Sequence, residues 1–253
     1  MSENVQFDTL KGQVAIVVGG SGGIGSETCR LLAQAGATVV IGYRSGEARA
    51  REIAEALPGS GHIALRVSIE DTSSIQTFCA AALSACGRAD ILVNAAGVTK
   101  PVPHADLDAL TDEIIDQVFV SNWRGVFATV RTFAPALAAN GHGLIVNVSS
   151  IAAFTGIGSN IAYCGAKAGL DIMTNSLGRA LAPAVRVMAV SPGVVDTEFV
   201  PGRGQEFKDR AAAATPLKRL TTPTDVAEAI LACATHLKFS TGTSIVVDGG
   251  RHL

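Results

Sequence analysis

The sequence predicts a doubly wound α/β fold, with one parallel sheet of about seven strands and helices on both faces. Three observations predict it. Short β-branched runs alternate with Ala- and Leu-rich stretches along the whole chain, the order that winds a parallel sheet. The composition is 48% hydrophobic and only 17% charged, with 27 glycines, which suits strands buried on both faces under small-residue helices. A glycine-rich turn separates the first apolar run from the first helical stretch, as a nucleotide-binding βα unit requires. At 253 residues the chain fits one domain over residues 1–253, large enough for a core and a substrate cleft.

The first strand is predicted at Val14 to Val18 because four of its five residues are β-branched. Gly19-Gly-Ser-Gly-Gly-Ile-Gly25 follows at once, and a helix then runs to about Ala35. Glycines let a backbone approach a pyrophosphate, while the helix N-terminus offers unpaired N–H groups and positive potential. Two registers fit by spacing: Gly20, Gly22 and Gly25, or Gly19, Gly23 and Gly25. The second strand, Thr38 to Gly42, ends at Tyr43-Arg44, where an NAD-preferring site usually carries an acid. A guanidinium there suits a 2′-phosphate, so the expected cofactor is NADP(H), with NAD(H) the alternative if Arg44 is only a solvated loop charge.

A helix over about residues 46–57, a strand near residues 62–67 and a helix over roughly residues 72–85 come next. Asp90-Ile-Leu-Val-Asn-Ala-Ala-Gly97 reads as a buried strand ending in small residues that let backbone lie against a flat ring. His104 falls in a Pro-rich loop and is expected to be exposed. A long helix is predicted from about Thr111 to Ala138 with a bend near Gly125, and Asn122 within it must satisfy its amide. The apolar run before Ser149-Ser150 is the fifth strand, Val185 to Val190 the sixth and Ser244 to Val247 the last. Pro192-Gly193 turns the chain back over the cleft, and residues 198–215 form either a lid or a plain surface helix. Thr222-Pro-Thr-Asp opens a capped helix.

Chemistry concentrates between Ser149 and Gly169. On a helix from Ile161 onward, Tyr163 and Lys167 lie four apart and therefore on one face. A phenol with a pKa of about 10 is a poor acid or base at neutral pH, and a neighbouring ammonium favours its phenolate. Ser150, at the carboxyl end of its strand, is placed to hold a carbonyl oxygen. A tuned tyrosine, a lysine and a serine together suit hydride transfer to or from a carbonyl.

The remaining composition narrows the partners. A net charge of −2 with no basic run gives no reason to expect nucleic acid or an acidic membrane surface. No apolar run reaches the roughly 20 residues of a membrane span. The polar start MSENVQFDTLKGQ reads as lacking a signal peptide. Cys29, Cys79, Cys86, Cys164 and Cys233 are scattered without a C-x-x-C pair, which fits reduced thiols in a cytoplasmic protein, with Cys164 a packing residue and no metal site.

Taken in order, Gly19-x-x-x-Gly23-Ile-Gly25, Asn94-Ala-Ala-Gly97, Asn122, Ser150 thirteen residues before Tyr163, Lys167, Pro192-Gly193 and Asp248-Gly-Gly resemble the short-chain dehydrogenase/reductase family from about Lys11 to the C-terminus. The resemblance implies a Rossmann-like sheet and selects Gly19, Gly23 and Gly25, with Ser21 and Ile24 in the same turn. It makes Tyr163 the proton donor or acceptor and Ser150 the partner of the substrate oxygen. Lys167 would lower the tyrosine pKa and hold the nicotinamide ribose, and Asn122 would anchor a water relaying protons from Lys167. Asn94, Ala95 and Gly97 would pack by the riboses, Pro192 and Gly193 would belong to the cofactor site, and Val195 and Thr197 would lie over the nicotinamide amide. A homotetramer is implied, built through long helices and the last strand.

The chain departs from the family at three places. Val18 replaces a common Thr that ties the glycine turn to a neighbouring strand, Ser68 replaces an Asp that meets adenine, and Gly97-Val-Thr-Lys-Pro101 replaces the GVTRD-type loop of bacterial β-ketoacyl-carrier-protein reductases. The leading expectation is NADP(H)-dependent interconversion of a ketone and a secondary alcohol, a β-ketoacyl thioester being the best substrate guess. An NAD(H)-dependent dehydrogenase of a sugar, steroid or small alcohol is the enzymatic alternative. A nucleotide sensor would need no tuned phenol, and an epimerase of this type would carry a larger C-terminal domain.

Overall fold

A computed structural model describes residues 9–202 and 204–253. Most of the polar start read for a signal peptide, and Arg203 within the 198–215 segment, lie outside the described residues.

In chain order the elements are β1 (Val14–Val18), α1 (Gly23–Gln34), β2 (Thr38–Tyr43), α2 (Glu47–Ala56), β3 (Ile63–Arg66), α3 (Thr72–Cys86), β4 (Ile91–Asn94), α4 (Asp112–Phe119), a π-helical turn (Val120–Arg124), α5 (Gly125–Ala138), β5 (Gly143–Val148), α6 (Ala152–Thr155), α7 (Ile161–Ala180), β6 (Val185–Pro192), α8 (Gln205–Ala214), α9 (Pro223–Thr235) and β7 (Thr243–Val247). All seven strands are parallel, in the order β3-β2-β1-β4-β5-β6-β7. The predicted doubly wound sheet is therefore present. Its order reverses between β1 and β4, the switch point where ligands of such sheets bind at the carboxyl ends.

Both faces of the sheet are covered. Ala15 and Val17 of β1 pack with Leu32 of α1, Ala50 of α2 and Val226 and Ile230 of α9, while Val14, Ile16 and Val18 pack with Phe78 of α3 and Phe133 and Leu137 of α5. Alternation by one residue sends successive side chains to opposite cores, and because both faces are covered β1 is apolar throughout.

Side-chain caps fix where the helices begin. Asp71 accepts from Ser73 N–H at the start of α3, and Asn160 accepts from Tyr163 N–H at 2.6 Å at the start of α7. At α9, Thr222 and Asp225 form a reciprocal capping box with Pro223 in the first turn.

The predicted bend in the long helix is a π-helical turn ending at Arg124. There the Asn122 side-chain amide donates to the Val118 carbonyl one turn back, at 2.9 Å, and the Gly125 N–H reaches to Val120, five residues back. A side chain competing for a helix carbonyl is one recognised cause of such a bulge. Gly125 itself is dictated by packing, since a Cβ there would lie 2.4 Å from the Ile69 carbonyl oxygen. Two further differences from the sequence expectation are local: β6 continues to Pro192 and a short α6 follows Ser150; α8 occupies part of the 198–215 segment, where a surface helix was one of the two readings.

Candidate active site

One cleft of about 1260 Å³ lies across the carboxyl ends of the strands. Its floor at β1 is the glycine turn. Gly19 has φ +85 and its missing Cβ would lie 2.6 Å from Ala96 N. A Cβ on Gly25 would lie 2.1 Å from the Gly19 carbonyl oxygen, and one on Gly23 would lie 2.7 Å from Thr197. Gly20 instead backs onto Ile41 and does not line the cleft, while Gly22 meets nothing nearer than 3.4 Å. Backbone packing thus leaves no room for a side chain at Gly19 and Gly25, while at Gly23 the Thr197 side chain would have to give way.

The lost Thr hydroxyl at Val18 is offset by backbone bonds. Gly19 and Gly20 N–H both donate to the Gly42 carbonyl at 2.9 Å, and Ala95 N–H donates to the Val18 carbonyl at 2.9 Å. The turn is therefore tied to both β2 and β4.

The residues around α1 fit a pyrophosphate. Its N-cap, Gly22, supplies no side-chain cap, and its first turn holds no acid, so the leading N–H groups and the helix dipole face the cleft without competition.

At the β2 end, Arg44 lines the cleft together with Ser45 and Arg49. The exposed Arg44 guanidinium lies 3.4 Å from Glu70, whose carboxylate also accepts from the Ser121 hydroxyl at 2.8 Å. Glu47, by contrast, pairs with Arg51 one turn along α2 at 2.6 Å and points away from this role. Ser68 does not line the cleft, its N–H bonding the Ser74 hydroxyl, whereas Val67, Ile69 and Glu70 do.

Ala95 and Gly97 line the cleft after β4, but Asn94 does not. Its buried amide donates to Asn147 at 2.9 Å and accepts from Thr129 at 2.7 Å, and Asn147 in turn donates to Thr174 on α7. Asn94 therefore braces β4 against β5 and the flanking helices. Asn122 also stands behind the cleft wall, donating to the Val98 carbonyl at 2.7 Å. Its Oδ1 is buried without a partner and sits where a Cβ on Gly97 would come within 2.6 Å, so Gly97 is kept bare by Asn122.

Ser150, Tyr163 and Lys167 meet at the centre. Ser150 follows β5, and its hydroxyl accepts from Ala152 N–H at 3.1 Å in the first turn after the strand. Lys167 lies one turn beyond Tyr163, with Nζ 5.7 Å from the phenol ring centroid and donating to the Val148 carbonyl at 2.7 Å. Burial lowers the Lys167 pKa to about 8, against the opposing pull of the Asp171 carboxylate. The ammonium thus remains largely charged at neutral pH. Cys164 beside it is buried and its thiol is pushed up by burial, so it packs and does not react.

Pro192, Gly193, Val195 and Thr197 close the cleft from the end of β6, and Lys208 of α8 pairs with Asp196 at 2.6 Å, holding α8 beside it. His104 is exposed as expected, but it borders an adjoining cavity of about 400 Å³ with Val200 and Phe207.

Sequence reasoning missed Arg49, Glu70 and His252 among the lining residues, whereas Phe154 falls in the 152–160 stretch expected to line the pocket. Nothing local foretold that His252, paired with Asp248 at 2.7 Å, stacks edge-on against Phe154.

A family model described as enoyl-(acyl carrier protein) reductase matches residues 18–252. A Streptomyces violaceoruber protein named as ketoacyl reductase 2 of the granaticin polyketide synthase is 36% identical, covering 97% of this chain and 98% of its own. Cis-4-hydroxycyclohexanecarboxylate dehydrogenase of Sinomonas cyclohexanicum is 37% identical over 94% of this chain and 96% of its own. Among solved structures, a dehydrogenase/reductase from Sinorhizobium meliloti 1021 superposes with a TM-score of 0.88 at 29% identity, covering 98% of each chain. With its parallel sheet, its glycine turn and a match over nearly its whole length, the chain belongs to the short-chain dehydrogenase/reductase family of oxidoreductases.

Proposed function

We propose that the chain, acting as one nucleotide-binding domain, is an NADP(H)-dependent oxidoreductase that interconverts a ketone and a secondary alcohol. The observation that carries the reading is the placement of Tyr163 and Lys167, one helical turn apart, in the same cleft as an uncapped glycine turn. When bound, a reduced nicotinamide supplies the hydride to the carbonyl carbon.

The chain's own groups supply the rest. Ser150 donates to the carbonyl oxygen, and Tyr163 gives it a proton as the alcohol forms. Lys167, positively charged, stabilises the phenolate left on Tyr163 and bonds the nicotinamide ribose. The Gly19–Gly25 turn with Ser21 and Ile24 holds the pyrophosphate. Ala95, Gly97, Pro192, Gly193, Val195 and Thr197 pack around the riboses and nicotinamide. Asn94 and Asn122 act from behind the wall, the first through the β4–β5 brace and the second through the Val98 carbonyl.

Arg44, with Ser45 and Arg49 beside it, favours a 2′-phosphate. Glu70 competes for Arg44, and an NADP(H) phosphate must win the guanidinium from it. For substrate, the relative named as a ketoacyl reductase favours a β-ketoacyl thioester, whereas the family-model description names an enoyl reduction. A tyrosine four residues before a lysine, with a serine just past the strand, suits C=O chemistry. Among the described residues the cysteines are free thiols, the state a reducing compartment keeps, which supports a cytoplasmic setting.

The test is fluorescence titration with NADPH and NADH, then oxidation of the bound nucleotide against an acetoacetyl thioester, an enoyl thioester, a diketone and a ketose. Tight NADPH binding with turnover of a ketone is expected. Binding of neither nucleotide, or turnover of the enoyl thioester alone, would overturn it.

A further inference from the structure

The proposed chemistry leaves one buried ionisable group unused. Asp171 lies one turn beyond Lys167, so Tyr163, Lys167 and Asp171 occupy one face of α7. Asp171 is half-buried, and its Oδ1 has no hydrogen-bond partner. A carboxylate removed from water in this way is costly unless an opposite charge compensates it.

We propose that Asp171 is a positioning residue for Lys167: its carboxylate, one turn along the same face of α7, holds the ammonium in its charged form beside Tyr163. The inference rests on the functional reading above for its consequence, but not for its geometry.

The surroundings single out this pairing. The Ser149 hydroxyl, next in sequence to Ser150, donates to the Lys167 carbonyl at 3.5 Å and also favours the charged form of Asp171. β5 otherwise presents the neutral Val148 carbonyl to Lys167. Other charges on neighbouring elements are turned elsewhere. Arg124 in the π-helical turn donates to the Glu70 carbonyl at 2.6 Å, and Arg186 on β6 donates to the Leu237 and Cys233 carbonyls. Asp112, Glu113 and Asp116 on α4 and Arg179 farther along α7 are exposed. Among the charges acting on either group, Asp171 is the one that opposes the burial of Lys167, and Lys167 the one that offsets the burial of Asp171.

Lys167 Nζ is bonded to Val148, so the two charges act through space and not as a contact pair. In a site shielded from solvent that action is weakly screened. Burial raises the Asp171 pKa from a carboxylate's ordinary value and the Lys167 charge opposes that rise, while the Asp171 carboxylate in turn opposes the lowering of the Lys167 pKa by burial. Removing the carboxylate therefore lowers the Lys167 pKa further. At neutral pH a larger fraction of Lys167 is then neutral and unable to stabilise the Tyr163 phenolate.

The experiment is a pH titration of protein carrying lysine labelled with ¹³C at Cε, followed by NMR, with the Lys167 signal assigned from its loss in Lys167→Arg. The expected midpoint is about 8 in the parent and about one unit lower in Asp171→Asn, with recovery in Asp171→Glu. Asp171→Ser removes the charge without adding an amide to be satisfied and serves if Asp171→Asn does not fold. The alkaline limb of kcat/KM for ketone reduction should fall by the same amount, with recovery again in Asp171→Glu. A Lys167 midpoint unchanged in both neutral variants, whatever their melting temperatures, would overturn the proposal. Absence of turnover in the parent would instead strike the oxidoreductase reading, while the lysine titration still decides the role of Asp171.

Discussion

In the proposed mechanism Lys167 must be buried to act on Tyr163 and charged to be of use, and these demands oppose each other. Burial lowers its pKa to about 8, so its charge survives at pH 7 and is lost as the pH rises through that value. Tyr163→Phe keeps the ring and removes the proton; NADPH binding should persist while kcat falls by about 10²- to 10⁴-fold, measured by stopped-flow and steady-state assay. A near-parental rate would remove Tyr163 from the chemistry. Arg44→Asp should weaken NADPH by about tenfold or more while leaving NADH much less affected, because a charge-assisted bond to phosphate is lost and repulsion replaces it. Equal losses would show that Arg44 does not read the phosphate. At this scale the sequence was legible where chemistry demands a residue type at a fixed spacing, as in Tyr163 and Lys167. It was less so where a residue works through the fold. Asn94 spends both ends of its amide on Thr129 and Asn147, from two other elements, and no local pattern announces such partners.

Elements whose boundaries are set by their own residues were readable, and elements set by distant packing were not. The capping box at Thr222 and the β-branched run of β1 carry their signals locally. The π-helical turn is divided between the two: Asn122 and Gly125 announce a bend locally, with Asn122 reaching Val118 one turn back, but the crowding of Gly125 by the Ile69 carbonyl comes from a distant segment. That crowding makes a prediction. Gly125→Ala would raise helix propensity at an exposed site, but here its Cβ would meet backbone at 2.4 Å. We expect a loss of about 1–3 kcal/mol, read as a drop in melting temperature of several degrees. A variant as stable as the parent would show that the 69–72 loop yields freely and does not set the bulge. Residues 198–215 were ambiguous between lid and surface helix for a related reason: α8 has only Ala211 buried, so its hydrophobic pattern is faint, and its position depends on Lys208 meeting Asp196.

At the scale of the whole molecule, the sheet satisfies its own faces while one flank is left apolar. Phe119, Trp123 and Phe127 run along α4, the π-helical turn and α5 at helical spacing, each more than a third exposed, with Ile161 and Ile172 of α7 also exposed. Gly165 and Gly169 on α7 lie under Phe119 and Trp123, so the two helices join into one surface whose small residues leave the aromatic rings standing proud. Trp123 stacks on Phe127 at 6.1 Å, and Arg131 lies 5.8 Å from the Phe127 ring centroid, which orders the rings without covering them. Exposed apolar stripes of this kind commonly serve association, and the homotetramer implied by the family resemblance would need such a surface along its long helices. Val246 of β7, also exposed, extends the argument to that second edge. Trp123→Glu combined with Phe127→Glu would place two carboxylates in the stripe and should reduce the molar mass measured by light scattering at micromolar concentration. If the parent is already monomeric under those conditions, the homotetramer must be abandoned. Retention of the parental mass by the double variant would leave assembly standing but move its interface off this flank.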